Sequence, residues 1–360
     1  MRIGIMFGGK STESEVSIKS VRSVFNAIDR KKYQVSLIFI DKKGQWHLNE
    51  NIKSFPDNLG TGRDLSDKVF KDIAIVPGKD KKQIIYISNS LPVKQIDVIF
   101  PILHGAFGED GTMQGLLKLI NIPFVGAGVL GSAVGMDKDA MKRLLRDAGI
   151  PIAKFIVFEK QSDANFNETS KSLGLPLFVK PANAGSSVGI NKASTKKQFD
   201  EAVKDAFKYD TKIIIEENIN GREIECSILG NENPIASVPG EIIPQHEFYS
   251  YKAKYLDKKG AVLKIPADLP TNTIKEVQKI AIKSYKLLCC EGMARVDCFL
   301  VNNKKILVNE INTIPGFTII SMYPKLWEAS GLSYSKLIDR LIQLAIERFE
   351  KENKLQTSYF

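Results

Sequence analysis

The pattern with the most chemistry in it lies near the C-terminus, in Arg295-Val-Asp297 and Glu310-Ile-Asn312. Residues 293–301 and 306–311 read as strands, and Asn302-Asn-Lys-Lys305 between them reads as a four-residue hairpin loop. Pairing Val301 with Ile306 sets Asp297 opposite Glu310 and Arg295 opposite Asn312. Strand faces repeat every two residues, so all four side chains share one face. Two opposed carboxylates repel unless a cation lies between them. With an amide oxygen they form a hard-oxygen donor set suited to Mg²⁺ shared with phosphates. The alternatives are a surface hairpin with incidental charges, against which the apolar flanks speak, or a structural Arg295–Asp297 pair.

A second pattern is Lys180, at the end of the buried run 177–179, followed by Ala184-Gly-Ser-Ser-Val-Gly189. A lysine emerging from a strand beside a small-residue loop suits phosphate binding, because the loop backbone can approach closely and its hydroxyls can donate. Taken alone the loop reads equally as a β-turn. His104-Gly-x-x-Gly-Glu-Asp-Gly111 ends the strand over 96–103, where ligands bind in open α/β sheets; alone, His104 reads as a hydrogen-bonded structural histidine. Glu13 and Glu15 fall in the first turn of a helix, where capping and dipole complement are the plain readings. Lys254-Tyr255 sits in a polar loop over about 240–262, either a lid or a surface loop.

Two other motifs match known expressions without their context. Gly4-x4-Gly9-Lys10-Ser11 fits a P-loop, but only three residues precede Gly4 and Ile5-Met-Phe7 continues the strand through the would-be loop. It reads as a glycine turn whose N–H groups could bind an anion. Gly126-x-Gly128-x-x-Gly131 fits a dinucleotide fingerprint, but the nearest acid that could serve the ribose, Glu159, lies too far on. A tight turn with close helix–strand packing is the alternative.

The elements that must position these residues follow from periodicity. Residues 2–7 form a short strand. Thr12-x-x-Glu15 is a capping-box pattern, and Val21, Val24, Phe25 and Ile28 repeat at helical spacing. A strand over 35–40 completes a strand–helix–strand opening typical of a parallel α/β sheet. Residues 42–95 read as loops and a hairpin. Helices are expected over 115–120, 136–148, 199–207, 271–289 and 333–350, with strands over 123–125, 155–158, 177–179, 213–215 and 224–229.

The chain has 360 residues, enough for two or three domains. It is 43% hydrophobic and 26% charged, an ordinary globular balance. Lys and Arg total 51 against 41 Asp and Glu, for a net charge of +10. That excess admits nucleic acid, an anionic membrane or a small anionic ligand as partner. Three histidines and four cysteines, with no C-x-x-C pair, speak against a zinc site or a disulfide framework and point to a reducing compartment. No signal-peptide or membrane-span pattern is expected.

Taken together, these motifs make the chain resemble the D-alanine–D-alanine ligases of the ATP-grasp superfamily, nearly end to end. The resemblance rests on Phe7-Gly-Gly-Lys-Ser-x-Glu13-x-Glu-Val-Ser17, His104-Gly-x-x-Gly-Glu-Asp-Gly-Thr112, Met136-Asp-Lys138, Val179-Lys-Pro-x-x-x-Gly-Ser-Ser-Val-Gly189, Tyr251-x-x-Lys254-Tyr255, Arg295-x-Asp297 and Asn309-Glu-x-Asn-Thr-x-Pro-Gly316. It implies an α/β, three-domain ATP-grasp fold: an N-terminal open parallel α/β domain (1–125), a central lobe (126–215) and a C-terminal lobe (216–360) carrying the metal site and lid. It implies ATP and two Mg²⁺ ions, with Mn²⁺ as a substitute, two D-alanine substrates and an acyl-phosphate intermediate, in peptidoglycan precursor synthesis. A cytoplasmic homodimer without nucleic-acid or membrane partners is the expected form.

Residue by residue, the resemblance gives Lys138, Lys180 and Lys254 to ATP phosphates, Glu216, Glu217 and Ile219 to adenine, and Glu223 to ribose, with Asn309 also at the ATP site. Asp297, Glu310 and Asn312 would hold the metal ions. Glu13, helped by Ser186, would bind the first substrate's ammonium, with His104 beside it. Arg295 and the Gly316 N–H would hold the tetrahedral oxyanion. Ser321 and Met322 would receive the second substrate's carboxylate, and Tyr255 would close the lid over Ser186 and Glu13. Ser14 stands where many relatives have His. Relatives that take D-lactate replace the Lys-Tyr pair and carry Arg at the position of Met322, so an amine second substrate is expected. D-serine, another ATP-grasp carboxylate–amine ligase reaction, or nucleotide sensing without turnover are the alternatives.

Overall fold

A computed structural model describes residues 1–50, 52–56, 70–78, 82–244 and 261–356. Lys254 and Tyr255, and with them the expected lid, lie outside the described residues. The described elements build three sheets in chain order.

The first sheet comprises β1 (Arg2–Gly8), β2 (Gln34–Ile40), β3 (Trp46–Asn49), β4 (Lys71–Ile75), β5 (Ile84–Tyr86) and β6 (Val98–Ile102), with α1 (Ser14–Ala27) joining β1 to β2. Its order is β5-β4-β3-β2-β1-β6. β1 runs parallel to β2 and β6, as strand–helix–strand connections require, while β3, β4 and β5 add antiparallel strands. The region expected to be loops and one hairpin therefore supplies half of the sheet. Helix α1 buries Val16, Val21, Val24 and Phe25, each fully buried apolar side chain contributing roughly 1.5–3 kcal/mol. Its cap is Glu13, with no side-chain cap hydrogen bond. The Thr12–Glu15 capping box is not formed, which leaves the Glu13 carboxylate for other work.

After β6 come α2 (Thr112–Leu119), α3 (Val129–Met136) and α4 (Lys138–Asp147). The single helix expected over 136–148 is broken at Asp137, whose carboxylate accepts the Asp139 and Ala140 N–H groups at 3.0 Å each and restarts the helix at Lys138. Only an isolated bridge, Ile99 to Phe124, stands where a strand over 123–125 is expected.

The second sheet is β7 (Phe155–Phe158), β8 (Leu177–Pro181), β9 (Asn191–Ala193) and β10 (Ile213–Glu217), in the order β7-β10-β8-β9 and wholly antiparallel. It is backed by α5 (Phe166–Leu173) and α6 (Lys196–Ala206) through Phe166, Leu173, Phe199 and Val203.

The third sheet contains β11 (Arg222–Leu229), β12 (Ile235–Ala236), β13 (Gly240–Pro244), β14 (Ala261–Lys264), β15 (Met293–Val301) and β16 (Lys305–Asn312). Its order is β14-β13-β11-β15-β16, with β12 on β11. Helix α7 (Thr271–Leu287) packs on it with α4, through Met141, Leu145, Val277 and Tyr285. Two last helices follow, α8 (Met322–Ala329) and α9 (Tyr334–Glu352). Helix α9 returns to the first sheet, setting Leu337, Ile338, Leu341 and Ile342 in one core with Ile3, Ile5 and Phe7. Its buried Arg348 donates to the Phe124 and Gly126 carbonyls at 2.8 and 2.5 Å.

Both look-alike motifs take their plain readings. β1 runs through Gly4 to Gly8; the Gly8 N–H donates to Ser17 Oγ at 2.9 Å and the Gly9 N–H to the Ile40 carbonyl at 2.7 Å. With those two donors satisfied internally, the turn is not built as an anion cradle. A Cβ on Gly131 would lie 2.5 Å from the Cys289 carbonyl oxygen. That glycine serves close packing of α3 on the Cys289–Cys290 segment.

Candidate active site

The β15–β16 hairpin carries the acidic side of the site. Its loop has three residues, not four, since Val301 pairs with Lys305. The expected register is nevertheless restored toward the other end. A bulge at Asn309 shifts the pairing between Cys298 and Asp297, so Asp297 opposes Glu310 and Arg295 opposes Asn312. Arg295 grips Asp297 in a two-pronged pair, Nε to Oδ1 and Nη2 to Oδ2 at 2.7 Å each. The Asn312 amide donates to Asp297 Oδ2 at 3.0 Å. From the neighbouring strand β11, Glu225 Oε2 lies 2.8 Å from Arg295 Nε. Burial works against the guanidinium's charge, but Asp297 and Glu225 hold its pKa well above the ordinary value. The structural Arg295–Asp297 pair is thus present, yet it does not exhaust the acids: Glu225, Asp297 and Glu310 outnumber Arg295.

This donor set fits a divalent cation. Among the described residues no cluster of three or more His, Cys, Asp or Glu could hold a metal alone. Two carboxylates with an amide oxygen on one face of the hairpin, of which Glu310 and Asn312 line a cavity, suit Mg²⁺ completed by water and phosphate oxygens.

The basic side is assembled from α4, β8 and β10. Lys138 opens α4; its backbone N–H donates to the Ala182 carbonyl at 3.0 Å and its Nζ to the Ala184 carbonyl at 2.6 Å. Asp137, the α4 cap, is held by Lys212 Nζ at 2.7 Å. Lys180 pairs with Ile214 across β8 and β10, which sets it on the same face as Glu216 two residues on. Lys180 Nζ lies 2.7 Å from Glu216 Oε2. Lys142, one turn past Lys138, lies 3.1 Å from Glu216 Oε1. Burial favours a neutral Glu216, but the Lys142 and Lys180 charges hold its pKa down to about 2. Burial lowers Lys138 from its ordinary value, with Glu310 opposing. Lys142 lies four residues after Lys138 in a charged helical stretch, where nothing in the sequence distinguishes it from a solvated lysine.

The Gly-Ser loop closes over Glu13. The Ser186 hydroxyl donates to Glu13 Oε1, and Glu13 is buried while Glu15 is exposed. The structure therefore separates two acids that spacing could not. Ser186 and Ser187 take left-handed backbone (φ +50° and +61°), a costly conformation for non-glycine residues that tends to mark functional loops. A Cβ on Gly185 would lie 2.7 Å from Glu13 Oε2. His104 Nδ1 is 3.1 Å from the Ile314 carbonyl, so it carries the proton donated there, and it lies 3.9 Å from Glu109 Oε1. Its buried Nε2 has no partner among the described residues. Burial lowers the His104 pKa, but Glu109 and Glu13 outweigh it and the net direction is up.

Other expected residues lie around this centre. Glu217 Oε1 accepts the Lys154 N–H at 2.7 Å, and Ile219 is half-buried in the connection after β10. The half-buried Glu223 lies on β11, paired with Phe299 and Ile242. A Cβ on Gly316 would lie 2.9 Å from Ser321 Oγ, which itself contacts Thr318 Oγ1 at 2.8 Å. The Met322 side chain is buried with Ile242 and Leu326, leaving its N–H at the start of α8. Lys138, Ser186, Ser187, Glu310 and Asn312 line one cavity.

A three-sheet α/β chain that sets Lys138 of a lysine-rich side against Glu310 and Asn312 of an acidic hairpin in one cavity defines a nucleotide- and metal-dependent enzyme. Comparison with known proteins agrees. Residues 2–127 match the model for the D-ala D-ala ligase N-terminus and residues 144–343 that for its C-terminus. The chain is 52% identical over 359 residues to a D-alanine–D-alanine ligase of Oceanobacillus iheyensis, covering 99% of this chain and 98% of that one. Among solved structures, the D-alanine–D-alanine ligase from Coxiella burnetii superposes with a TM-score of 0.87 at 42% identity, covering 98% of this chain and 96% of that one. The VanG D-Ala:D-Ser ligase from Enterococcus faecalis gives 0.85 at 38%, covering 96% and 99%. The chain belongs to the D-alanine–D-alanine ligase family, and its fold is ATP-grasp.

Proposed function

We propose that this cavity joins two D-alanines at the expense of ATP, giving D-alanyl-D-alanine, ADP and phosphate, for cell-wall peptidoglycan precursors. The observation that carries this reading is one cavity lined by Lys138 facing Glu310 and Asn312 of the acidic hairpin, with Ser186, the partner of buried Glu13, at its edge.

ATP and Mg²⁺ are the cofactors, Mn²⁺ substituting by its like preference for oxygen. Asp297, Glu310 and Asn312 would hold two Mg²⁺ ions. Bound there, the ions screen phosphate charge and make the transferred phosphoryl group electrophilic. Lys138 and Lys180 hold phosphate oxygens, joined by Lys254. Backbone groups of Glu216, Glu217 and Ile219 meet adenine, Glu223 the ribose, and Asn309 completes the ATP side. Glu13 and Ser186 fix the first D-alanine's ammonium beside His104.

The first D-alanine's carboxylate takes the γ-phosphoryl group of ATP, leaving ADP. The second substrate's ammonium loses a proton to water, the free amine attacks the acyl carbon, and the negative oxygen so formed sits against Arg295 and the Gly316 N–H. Donors aimed at developing charge in a dry site are the largest usual source of rate enhancement. Phosphate then leaves and the peptide bond remains. Ser321 and the Met322 N–H, at the start of α8, hold the second carboxylate; Tyr255, outside the described residues, would serve as the lid toward Ser186 and Glu13. Met322, rather than a cation, speaks for an amine second substrate.

We further propose domain limits near 125 and 215, a homodimer and a cytoplasmic location. The three sheets support the division into three parts and the four free cysteines a reducing compartment; the dimer is tested by light scattering, where a mass of twice the chain is expected and a single-chain mass would overturn it. Among the described residues no helix is long and apolar enough to cross a membrane. The activity is tested by phosphate release with ATP and Mg²⁺ against D-alanine, D-serine, D-lactate and L-alanine, identifying products by mass. D-alanyl-D-alanine should dominate; turnover with none of the four would overturn the reading, and a preference for D-seryl product would move the second-substrate assignment.

A further inference from the structure

Lys142 has no part in the chemistry above, yet it is among the largest fully buried side chains of the protein. Burying an ammonium is costly unless a partner holds it. The partner is Glu216: Lys142 Nζ lies 3.1 Å from Oε1, while Lys180 takes Oε2 at 2.7 Å. Neither Lys142 Nζ nor Glu216 Oε1 has a further hydrogen-bond partner among the described residues. The next charges acting on Lys142 are Lys180 itself and Glu310.

One carboxylate is therefore gripped by two lysines of unlike circumstance. Lys142, with a side chain 1% exposed, comes from a helix interior; Lys180, at 12%, comes from the strand that leads into the Gly-Ser loop. Removing the only partner of a buried charge is strongly unfavourable. If Lys180 were the sole cation on Glu216, swinging its ammonium to a phosphate would strand a buried anion, and the two ligands would compete. We propose that Lys142 is a positioning residue for nucleotide binding: it is the standing counter-charge of Glu216, so that Lys180 can exchange between Glu216 and a phosphate oxygen. This rests on Lys180 being a phosphate ligand.

The test uses the full-length protein and calorimetric titration with ADP and with adenosine, which lacks the phosphates. K142Q keeps a donor toward Glu216 but removes the charge. It is expected to weaken ADP about tenfold or more while leaving adenosine within about twofold, and K142R is expected to keep ADP within about threefold. In a K180M background K142Q should add nothing, because its effect passes through Lys180. Unchanged ADP binding by K142Q overturns the proposal; so does equal weakening of ADP and adenosine, or a K142Q effect that persists undiminished in K180M. K180M binding ADP like the parent removes the phosphate reading itself, an outcome distinct from failure of K142Q alone. Should K142Q not fold, K142M/E216M, which strands no charge, carries the test. Its ratio of ADP to adenosine affinity should match or exceed the parent's, and a tenfold lower ratio overturns the proposal.

Discussion

The two charged clusters of this protein are built on opposite surpluses. Around Glu216, Lys142 and Lys180 outnumber the single acid they pair with, and Lys138, on the same helix as Lys142, adds its charge toward Glu310. Around Arg295, the acids at 225, 297 and 310 exceed the single guanidinium, and the surplus sits on a hairpin. Each cluster satisfies part of itself by short ion pairs, and neither can be neutral alone. A polyphosphate carrying divalent cations offsets both at once. The comparison also separates function from structure. A salt bridge in either cluster reads as an ordinary structural pair; only the remainder that lines the cavity, Lys138 on one side and Glu310 on the other, points to a ligand.

Variants that unbalance the acidic side should have the largest effects. Asp297→Ala removes a proposed metal ligand and frees Arg295 from its two-pronged pair; turnover of ATP should fall below detection in a coupled ADP assay. Near-parent Mg²⁺-dependent activity there would break the comparison. Next, Arg295→Ala should lower kcat about 10²- to 10³-fold, the usual range for losing one oxyanion donor. A rise in KM with kcat intact would instead make Arg295 a ground-state contact.

On the basic side, Glu216→Gln tests charge pairing through stability. The folded pKa of Glu216 is lowered from 4.5 to about 2. Its contribution is therefore complete above about 4.5 and is lost as pH falls toward about 2. Denaturant unfolding should show the variant less stable at pH 7 by on the order of 3 kcal/mol, with the gap narrowing across that window. A gap independent of pH would assign the effect to packing. The smallest effect is expected from Gly185→Ala, whose methyl would lie 2.7 Å from Glu13 Oε2. Displacing that carboxylate should raise the KM for the first D-alanine about tenfold with the fold unchanged; an unaltered KM would detach Glu13 from substrate binding.

Much of the acidic side could be read in advance, because strand periodicity is local. Even so, the hairpin was counted with one loop residue too many, and the Asn309 bulge compensates, so Asp297 still faces Glu310. A bulge leaves no reliable mark in a single sequence. Glu13 and Lys180 were visible as residue types beside small-residue loops. Lys142 was not: a lysine on a charged helical stretch looks solvated until Glu216, far along the chain on β10, is folded against it. The short strands β3, β4 and β5 were missed for a related reason. Their pairing partners, more than their own composition, make them strands. The glycine turn after β1 shows the reverse error. It carries a phosphate-binding expression, while its first two N–H groups are spent on Ser17 and Ile40.

The most direct test of opposed surpluses is ADP titration with and without Mg²⁺, in the parent and in Asp297→Asn. The parent should bind ADP at least about tenfold more tightly with Mg²⁺. The variant should lose that enhancement and keep its metal-free affinity, since the lysine cluster is untouched. Retained Mg²⁺ enhancement in Asp297→Asn, or equal weakening with and without the metal, would contradict the division of the site into a basic side for phosphate and an acidic side for its cations.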